Sequence, residues 1–161
     1  MKRETSLGDY LRLARATPTV EREFEAFKEQ IFNSILIWDD GKIHYPIPNA
    51  TGIHYDIKNK KFKKFDRFKD LSYEQAAAIA YTKYYRAINA FILPFESRSL
   101  YLDIAITYGP MEAIKLMQTC ANVDEDGIIG PVTREKMQFV TPDCLAEQKR
   151  PSTNFLKKFF S

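Results

Sequence analysis

The chain has 161 residues, of which 45% are hydrophobic and 14% aromatic, and its formal net charge is +3. This length and composition favour an ordered globule with a substantial core in one domain. So small a charge does not require a nucleic-acid partner, and polyanionic cell-wall glycans would suit the chain equally well.

Residues 1 to 20, MKRETSLGDYLRLARATPTV, are expected to form an N-terminal extension. They contain no apolar run of signal-peptide length, and no run anywhere in the sequence is long enough to span a bilayer. We therefore expect a protein that is made without an export signal of its own and has no membrane span.

Residues 21 to 37, EREFEAFKEQIFNSILI, predict an amphipathic helix because apolar side chains recur on one face at helical spacing. The helix would end at the single tryptophan, Trp38, followed by two carboxylates, Asp39 and Asp40. Carboxylates at a helix C-terminus oppose the helix dipole. Two interpretations of these acids stay open, a helix end that runs into a solvated turn and a carboxylate held at the mouth of a cleft.

Residues 42 to 68 keep no helical period and contain several turn-forming residues, so they predict a long loop or a small hairpin. Within them, KNKKFKKFDRFK at 58 to 69 spaces three phenylalanines among basic residues. Such a pattern suits nucleic-acid binding by phosphate contacts and stacking. We favour a short helix that packs its phenylalanines on the core, and we do not expect a nucleic-acid partner.

Residues 70 to 94 predict a long central helix that is rich in alanine and tyrosine. Ser72 and Gln75 have the spacing of a capping box, and Pro94 marks the end. A second, strongly apolar helix is predicted over residues 97 to 109, stopped by a glycine. It carries one acid, Asp103, which is either functional or the partner of a cation such as Arg86 or Arg98.

Residues 110 to 123 predict a further helix with Pro110 in its first turn. The following DEDGIIGPVTREKMQFV predicts two turns and a last core helix that begins at Pro131. Asn122, Asp124 and Asp126 resemble the start of an EF-hand loop, but its twelfth position would be a threonine where a bidentate glutamate is needed. We therefore expect no metal site here, and no cofactor.

Cys120 and Cys144 lack CxxC spacing, and the chain contains only two histidines. We expect two reduced thiols rather than a disulfide or a zinc site. Residues 146 to 161 are expected to form a basic aromatic tail. The predicted elements together indicate an all-α, or nearly all-α, fold.

The order of these elements resembles glycoside hydrolase family 108, the phage-type N-acetylmuramidases with a C-terminal peptidoglycan-binding-like segment. The central helix carries the family's leucine, acid, alanine and tyrosines at Leu71, Glu74, Ala76, Tyr81, Tyr84 and Tyr85. The next two helices carry its aspartate, terminal glycine and Leu-Gln pair at Asp103, Gly109, Met117 and Gln118. The last turn repeats the family's D-G-x-x-G-x-x-T at Asp126, Gly127, Gly130 and Thr133.

The resemblance covers about residues 24 to 140 and implies a lysozyme-like helical domain over residues 21 to 145. The peptidoglycan-binding-like segment would occupy residues 100 to 140. The partner that it implies is the peptidoglycan glycan strand. A protein of this kind would be made in the bacterial cytoplasm and act at the cell wall or as part of a virion.

The family's catalytic Glu-Gly-Gly falls on Asp39, Asp40 and Gly41. Asp39 would be the acid that protonates the leaving oxygen, and Asp40 or Asp56 the second carboxylate. Because aspartate is one methylene shorter than glutamate, the proton donor would move by about 1.5 Å on a fixed backbone. The resemblance also implies substrate contacts from residues beside this motif and on the central helix, namely Trp38, Thr51, Tyr81 and Tyr85.

Two functions follow from this resemblance. The first is a peptidoglycan glycosidase, an N-acetylmuramidase of phage or prophage origin such as an endolysin. The second is a catalytically inactive muramidase-like component of a virion or secretion apparatus, which binds wall glycan or another protein of that assembly.

Overall fold

A computed structural model describes residues 7–35, 37–39, 42–44, 55–56, 61–62 and 72–149, and of the strands it describes the backbone only. Seven α-helices form most of this part: α1 Leu7–Ala14, α2 Pro18–Gln30, α3 Tyr73–Ile79, α4 Phe95–Tyr108, α5 Pro110–Ala121, α6 Pro131–Met137 and α7 Pro142–Lys149. A π-helix, Ala80–Tyr85, continues α3, and 3-10 helices occupy Phe32–Ile35 and Ala90–Ile92. The predicted all-α fold class is confirmed.

Four short strands form two antiparallel hairpins, and three of the strands lie in the region predicted as a loop or small hairpin. Strand β1, Ile37–Asp39, pairs with β2, Lys42–His44, and β3, Tyr55–Asp56, pairs with β4, Lys61–Phe62. The first hairpin begins before residue 42, within the stretch predicted to be helical. A short helix is predicted over residues 58 to 69, but Lys61 and Phe62 form strand β4. The other positions of this stretch lie outside the described residues.

Helix α2 is shorter than predicted. Its start is capped, since the Thr17 hydroxyl accepts a hydrogen bond from the Val20 N–H at 3.1 Å. It ends at Gln30 because Ser34 engages the Ile31 carbonyl with both its backbone N–H and its hydroxyl, which tightens the chain into a 3-10 turn. The prediction that a helix runs to Trp38 and presents Asp39 at its end is therefore wrong, because both residues belong to strand β1.

The predicted central helix is a composite. Its capping box is confirmed, because Ser72 and Gln75 exchange side-chain and backbone hydrogen bonds. After Ile79 the backbone widens into the π-helix, in which the Arg86 N–H donates to the Tyr81 carbonyl at 2.9 Å. Asn89 then adopts a left-handed conformation with φ of 53°, and this ends the helical run.

Helices α4 and α5 pack against each other and meet at Gly109, where the sequence predicts that the first of them stops. Gly109 has a φ of 100°, which an L side chain rarely adopts, and Pro110 opens α5. The pair contributes many of the core side chains, among them Tyr101, Leu102, Ile104 and Met117. Among the described helices, none combines the length and the apolar character needed to cross a bilayer.

The core extends beyond the boundaries predicted for the central domain. Helix α1, within the expected N-terminal extension, packs against α3 and buries Tyr10 and Ala14. Helix α7 crosses the boundary expected at residue 145, and its Leu145 is buried against α4 and α5. Residues 150 to 161 of the expected tail lie outside the described residues.

The two cysteines form a disulfide, so the prediction of reduced thiols is wrong. Cys120 in the last turn of α5 is joined to Cys144 in α7, with their Cα atoms 5.8 Å apart. That separation is within the range that a disulfide spans without backbone movement. The fold brings the two residues together across 24 positions of sequence.

Candidate functional site

The backbone places the predicted catalytic acids on two different hairpins. Asp39 pairs in register with Lys42, and Asp56 pairs with Lys61. The side chains of both acids, the side chain of Trp38, and all of Asp40 and Thr51 lie outside the described residues. The catalytic and substrate-binding roles of these five residues stay predictions.

The two tyrosines predicted to bind substrate are buried. Tyr81 is 0% and Tyr85 6% exposed, and their rings stack with centroids 5.9 Å apart. Phe27 of α2 packs against both rings. The faces of these rings are therefore occupied by protein, and their substrate-binding role stays a prediction.

The buried Tyr81 is hydrogen-bonded to a surface residue, Glu23. Its hydroxyl donates a hydrogen bond to Glu23 Oε2 at 2.7 Å, and the Glu23 side chain is exposed on α2. Burial, reinforced by the hydrogen bond to Glu23, raises the pKa of Tyr81 well above its ordinary value. Tyr81 is thus a neutral donor that orients an exposed carboxylate, and the Arg86 guanidinium lies 5.9 Å from the centroid of its ring.

Tyr85 lies beside the guanidinium of Arg98. Burial raises the pKa of Tyr85, and the positive charge of Arg98 opposes that shift. Arg98 donates to the carbonyl oxygens of Leu93 and Phe91, each at 2.9 Å, and its Cζ lies 5.9 Å from the centroid of the Phe95 ring. The guanidinium therefore fixes the corner between the short 3-10 helix and α4.

Asp103, predicted to be either functional or the partner of a cation, is half-buried on α4. Burial raises the pKa of Tyr108, and the neighbouring Asp103 raises it further. Arg98, one of the cations predicted to pair with Asp103, donates hydrogen bonds to the carbonyls of Phe91 and Leu93.

A cluster of charges, which we call the ionic cluster, joins α2 to α3 and consists of Arg15, Glu21, Glu25, Lys28 and Glu74. Lys28 Nζ lies 2.6 Å from Glu74 Oε1 and 3.0 Å from Glu25 Oε1. Arg15 contacts all three acids at 2.9 to 3.3 Å. An open depression of about 810 Å³ lies beside the cluster. Since each cation is matched by acids, this arrangement suits a structural connection rather than an anion site.

The predicted turn after α5 is organised by one buried glutamine. The Gln118 side-chain amide donates to the Asp126 carboxylate and the Ile128 carbonyl, each at 3.0 Å, and to the Thr133 hydroxyl at 3.3 Å. Its carbonyl accepts from the Gly127 N–H at 2.9 Å. The Ile128 N–H, together with Gln118, holds the pKa of Asp126 below its ordinary value.

The predicted conformation of this turn is confirmed. Gly127 has a φ of 76°, and Pro131 stands in the first turn of α6. Within the parts of the chain that the structure describes, no three His, Cys, Asp or Glu side chains are grouped to hold a metal ion.

Two charged residues beside Tyr81 and Tyr85 were not among the predicted site residues, Glu23 and Arg98. Glu23 stands four residues before Phe27, at the edge of the apolar face, and this spacing is its only sequence signal. Arg98 was identified only as a partner for Asp103. No family model, curated protein or solved structure matches the chain.

Proposed function

We propose that this chain is a peptidoglycan-directed muramidase-like protein of phage or prophage origin that cleaves or binds cell-wall glycan. The observation that carries the proposal is the turn held by Gln118. Asp126, Gly127 and Thr133, quoted above for the family resemblance, all bond to the side chain of Gln118, which the same resemblance matches separately, in the Leu-Gln pair. Residues that occur at fixed spacing for a structural reason are expected to form one unit of this kind.

The order of elements supports the same proposal. An acid-bearing hairpin, β1–β2, lies between α2 and the capped α3, where the resemblance implies the catalytic motif. In the enzymatic form of the proposal, Asp39 protonates the leaving glycosidic oxygen and Asp40 or Asp56 supplies the second carboxylate. Chemistry at that position requires the acid to be protonated near neutral pH, which an apolar neighbour such as Trp38 would favour.

The alternative proposal is an inactive muramidase-like component of a virion or secretion apparatus. Two observations favour it. Asp39 stands where the family has glutamate, which would move a proton donor by about 1.5 Å and cost on the order of a hundredfold in rate. Tyr81 and Tyr85 are buried, so they present little ring surface to a sugar.

A disulfide supports a site of action outside the reducing cytoplasm, in either form of the proposal. A chain that is made in the bacterial cytoplasm and acts at the cell wall or within a virion would meet oxidising conditions after release.

The experiment compares the protein with its Asp39→Asn variant on purified insoluble peptidoglycan. Released reducing ends and muropeptides report cleavage, and cosedimentation reports binding. Asp143→Asn, which changes an exposed acid on α7, is the matched control. For an enzyme, Asp39→Asn abolishes product release and keeps cosedimentation, because only the proton donor is removed.

An inactive binding protein would cosediment but release no product in any of the three forms. A protein that neither cosediments nor releases product would contradict the proposal in both forms. Equal product release by Asp39→Asn and the unchanged protein would exclude Asp39 as the acid while leaving the enzymatic activity in place.

A further inference from the structure

Helix α7 is a short helix at the edge of the core, where it packs against α4 and α5. Among the α7 side chains that the structure describes, Leu145 is the one that is fully buried, at 0% exposure. Asp143 and Glu147 are exposed. An isolated helix of eight residues is barely stable in water, so α7 keeps its conformation only through its attachment to the rest of the protein.

The disulfide stands next to this apolar contact. Cys144 directly precedes Leu145 and is joined to Cys120 in the last turn of α5. The covalent link keeps Leu145 close to its buried position, which raises the effective concentration of the leucine there. Both cysteines are half-buried rather than fully buried, which leaves the bond open to a small dithiol.

The chain on the N-terminal side of α7 is fixed without the disulfide. The Ser97 hydroxyl of α4 donates to the Val140 carbonyl at 2.9 Å, and Met137 and Val140 are no more than 1% exposed. The turn before α6 is bonded to Gln118 of α5. Loss of the disulfide therefore leaves a boundary at Val140, beyond which Leu145 is the fully buried side chain that remains to hold α7.

We propose that the Cys120–Cys144 disulfide is a redox switch for α7. While the disulfide is intact, α7 stays packed on α4 and α5, and its reduction releases α7 from a molecule that otherwise remains folded. The core remains because its largest buried side chains, such as Phe24, Tyr81 and Tyr101, belong to other elements. This switch does not depend on the proposed function, since it concerns the attachment of a helix and not a ligand.

The reaction is a thiol–disulfide exchange with a dithiol reductant. One thiolate of the reductant attacks a sulfur of the disulfide, which breaks the S–S bond, forms a mixed disulfide and releases the other cysteine as a thiolate. The second thiolate of the reductant then displaces the remaining cysteine. The reductant ends as a disulfide, having given two electrons to the protein, and its two protons go to the sulfurs of Cys120 and Cys144.

Native-state hydrogen exchange of the full chain, measured by mass spectrometry with and without dithiothreitol, tests the switch. We expect the amides of α7 to exchange on the order of a hundredfold faster after reduction, which is the closure entropy of a loop of this length expressed as a rate ratio. Their exchange should depend little on urea, because release of one short helix exposes little surface. The amides of α4 should stay more protected than those of α7 and keep a steep urea dependence.

Two results would overturn the switch. In the first, the reduced protein, with both thiols counted by alkylation, keeps α7 as protected as before, so the disulfide does not control the helix. In the second, the amides of α7 and α4 exchange at one rate with the same urea dependence, or the reduced chain unfolds altogether. Reduction would then weaken the whole molecule and release no separate element.

Variants assign the effect to the disulfide and to Leu145. Cys120→Ser with Cys144→Ser should show fast α7 exchange in both conditions, and a response of this variant to dithiothreitol would also overturn the switch. Leu145→Ala removes the apolar contact and keeps the disulfide, so it should raise α7 exchange in the oxidised protein and add to the effect of reduction. Glu147→Gln, which changes an exposed residue of the same helix, is the matched control and should behave as the unchanged protein does.

Discussion

Gln118 shows how a single side chain can determine the conformation of a turn. It is fully buried, and both ends of its amide are used, since the two N–H groups are shared among three acceptors and the carbonyl accepts one hydrogen bond. A neutral amide is well suited to this position because it provides donors and an acceptor in one plane without burying a charge. The turn from Asp126 to Thr133 is thus held from inside by a residue of α5.

Replacement of Gln118 by leucine should lower the free energy of unfolding by about 2 kcal/mol, because the buried Thr133 hydroxyl and the Gly127 N–H lose their partner. Urea denaturation measures the change. Gln138→Leu is the matched control, since Gln138 is exposed and the one described hydrogen bond of its side chain is to the Glu135 carbonyl. It should change stability by less than about 0.5 kcal/mol. Equal losses for the two variants would contradict the role assigned to Gln118.

Gly127 and Gly130 should respond differently to alanine although only two residues separate them. At Gly127 a side chain meets a φ of 76°, and its Cβ would lie 2.5 Å from Met111 Sδ. We expect Gly127→Ala to cost about 1 to 2 kcal/mol in the same denaturation experiment, mainly from the backbone conformation. A Cβ at Gly130 meets nothing within 4 Å, so Gly130→Ala should be nearly neutral. A neutral Gly127→Ala would show that this turn can relax.

At the scale of the elements, the ionic cluster fixes how α2 meets α3. Burial disfavours the charge of Lys28, but hydrogen bonds to Glu74 and Glu25 outweigh it and raise the pKa of Lys28. The hydrogen bond from Lys28 and the charge of Arg15 lower the pKa of Glu25. Because the pKa of Glu25 is lowered by folding, its carboxylate stabilises the fold at pH values above 4.5, the ordinary pKa. This stabilisation is lost as the pH falls through the lowered pKa. A raised lysine pKa contributes stability that is lost as the pH rises through it.

The variant Glu25→Gln should therefore be destabilised at about pH 7, and the difference should be smaller at about pH 3. Because Glu25 is half-exposed, we expect a loss of only about 0.5 kcal/mol at neutral pH. Urea denaturation at the two pH values measures it, with Glu29→Gln, an exposed acid of the same helix, as the control. A difference that persists unchanged at the lower pH would mean that Glu25 acts through packing and not through its charge.

Sequence patterns predicted the elements wherever periodicity and end signals agree. Ser72 with Gln75, and Gly109 with Pro110, mark ends that the structure reproduces. Helix α2 was extended too far because the apolar period continues past Gln30, whereas the Ser34 hydroxyl competes locally for the Ile31 carbonyl. The π-helix left no signal, because the tyrosine spacing that it contains suits an ordinary α-helix equally well.

At the scale of the whole molecule, the disulfide connects two helices that the sequence did not place together. A separation of 24 residues does not indicate that the two Cα atoms lie 5.8 Å apart. The prediction of thiols relied on the missing CxxC spacing and the small number of histidines. For the candidate site, as for the disulfide, the sequence identified residues but not their surroundings. The family resemblance brought Tyr81 and Tyr85 into consideration, but their burial involves Phe27 from another helix.

Reduction of the disulfide should lower the free energy of unfolding by about 3 kcal/mol, the value expected for a loop of this length. Urea denaturation with and without a phosphine reductant measures the loss. The double variant Cys120→Ala, Cys144→Ala should show the same lower stability and no response to reductant. Two titratable thiols in the native, unreduced protein would refute the pairing.

The disulfide also changes what proteolysis can do to this molecule. Residues 120 to 144 form a closed covalent ring that includes the exposed turn at Glu125, all of α6, and Phe139. A protease that cuts one peptide bond inside the ring opens it without releasing a fragment, so the nicked chain keeps its full mass on a non-reducing gel and separates only after reduction. The Gln118 hydrogen bonds to the turn and the covalent link through α7 would then hold the two pieces in register, and a protein exposed to bacterial proteases could be cut there and remain assembled.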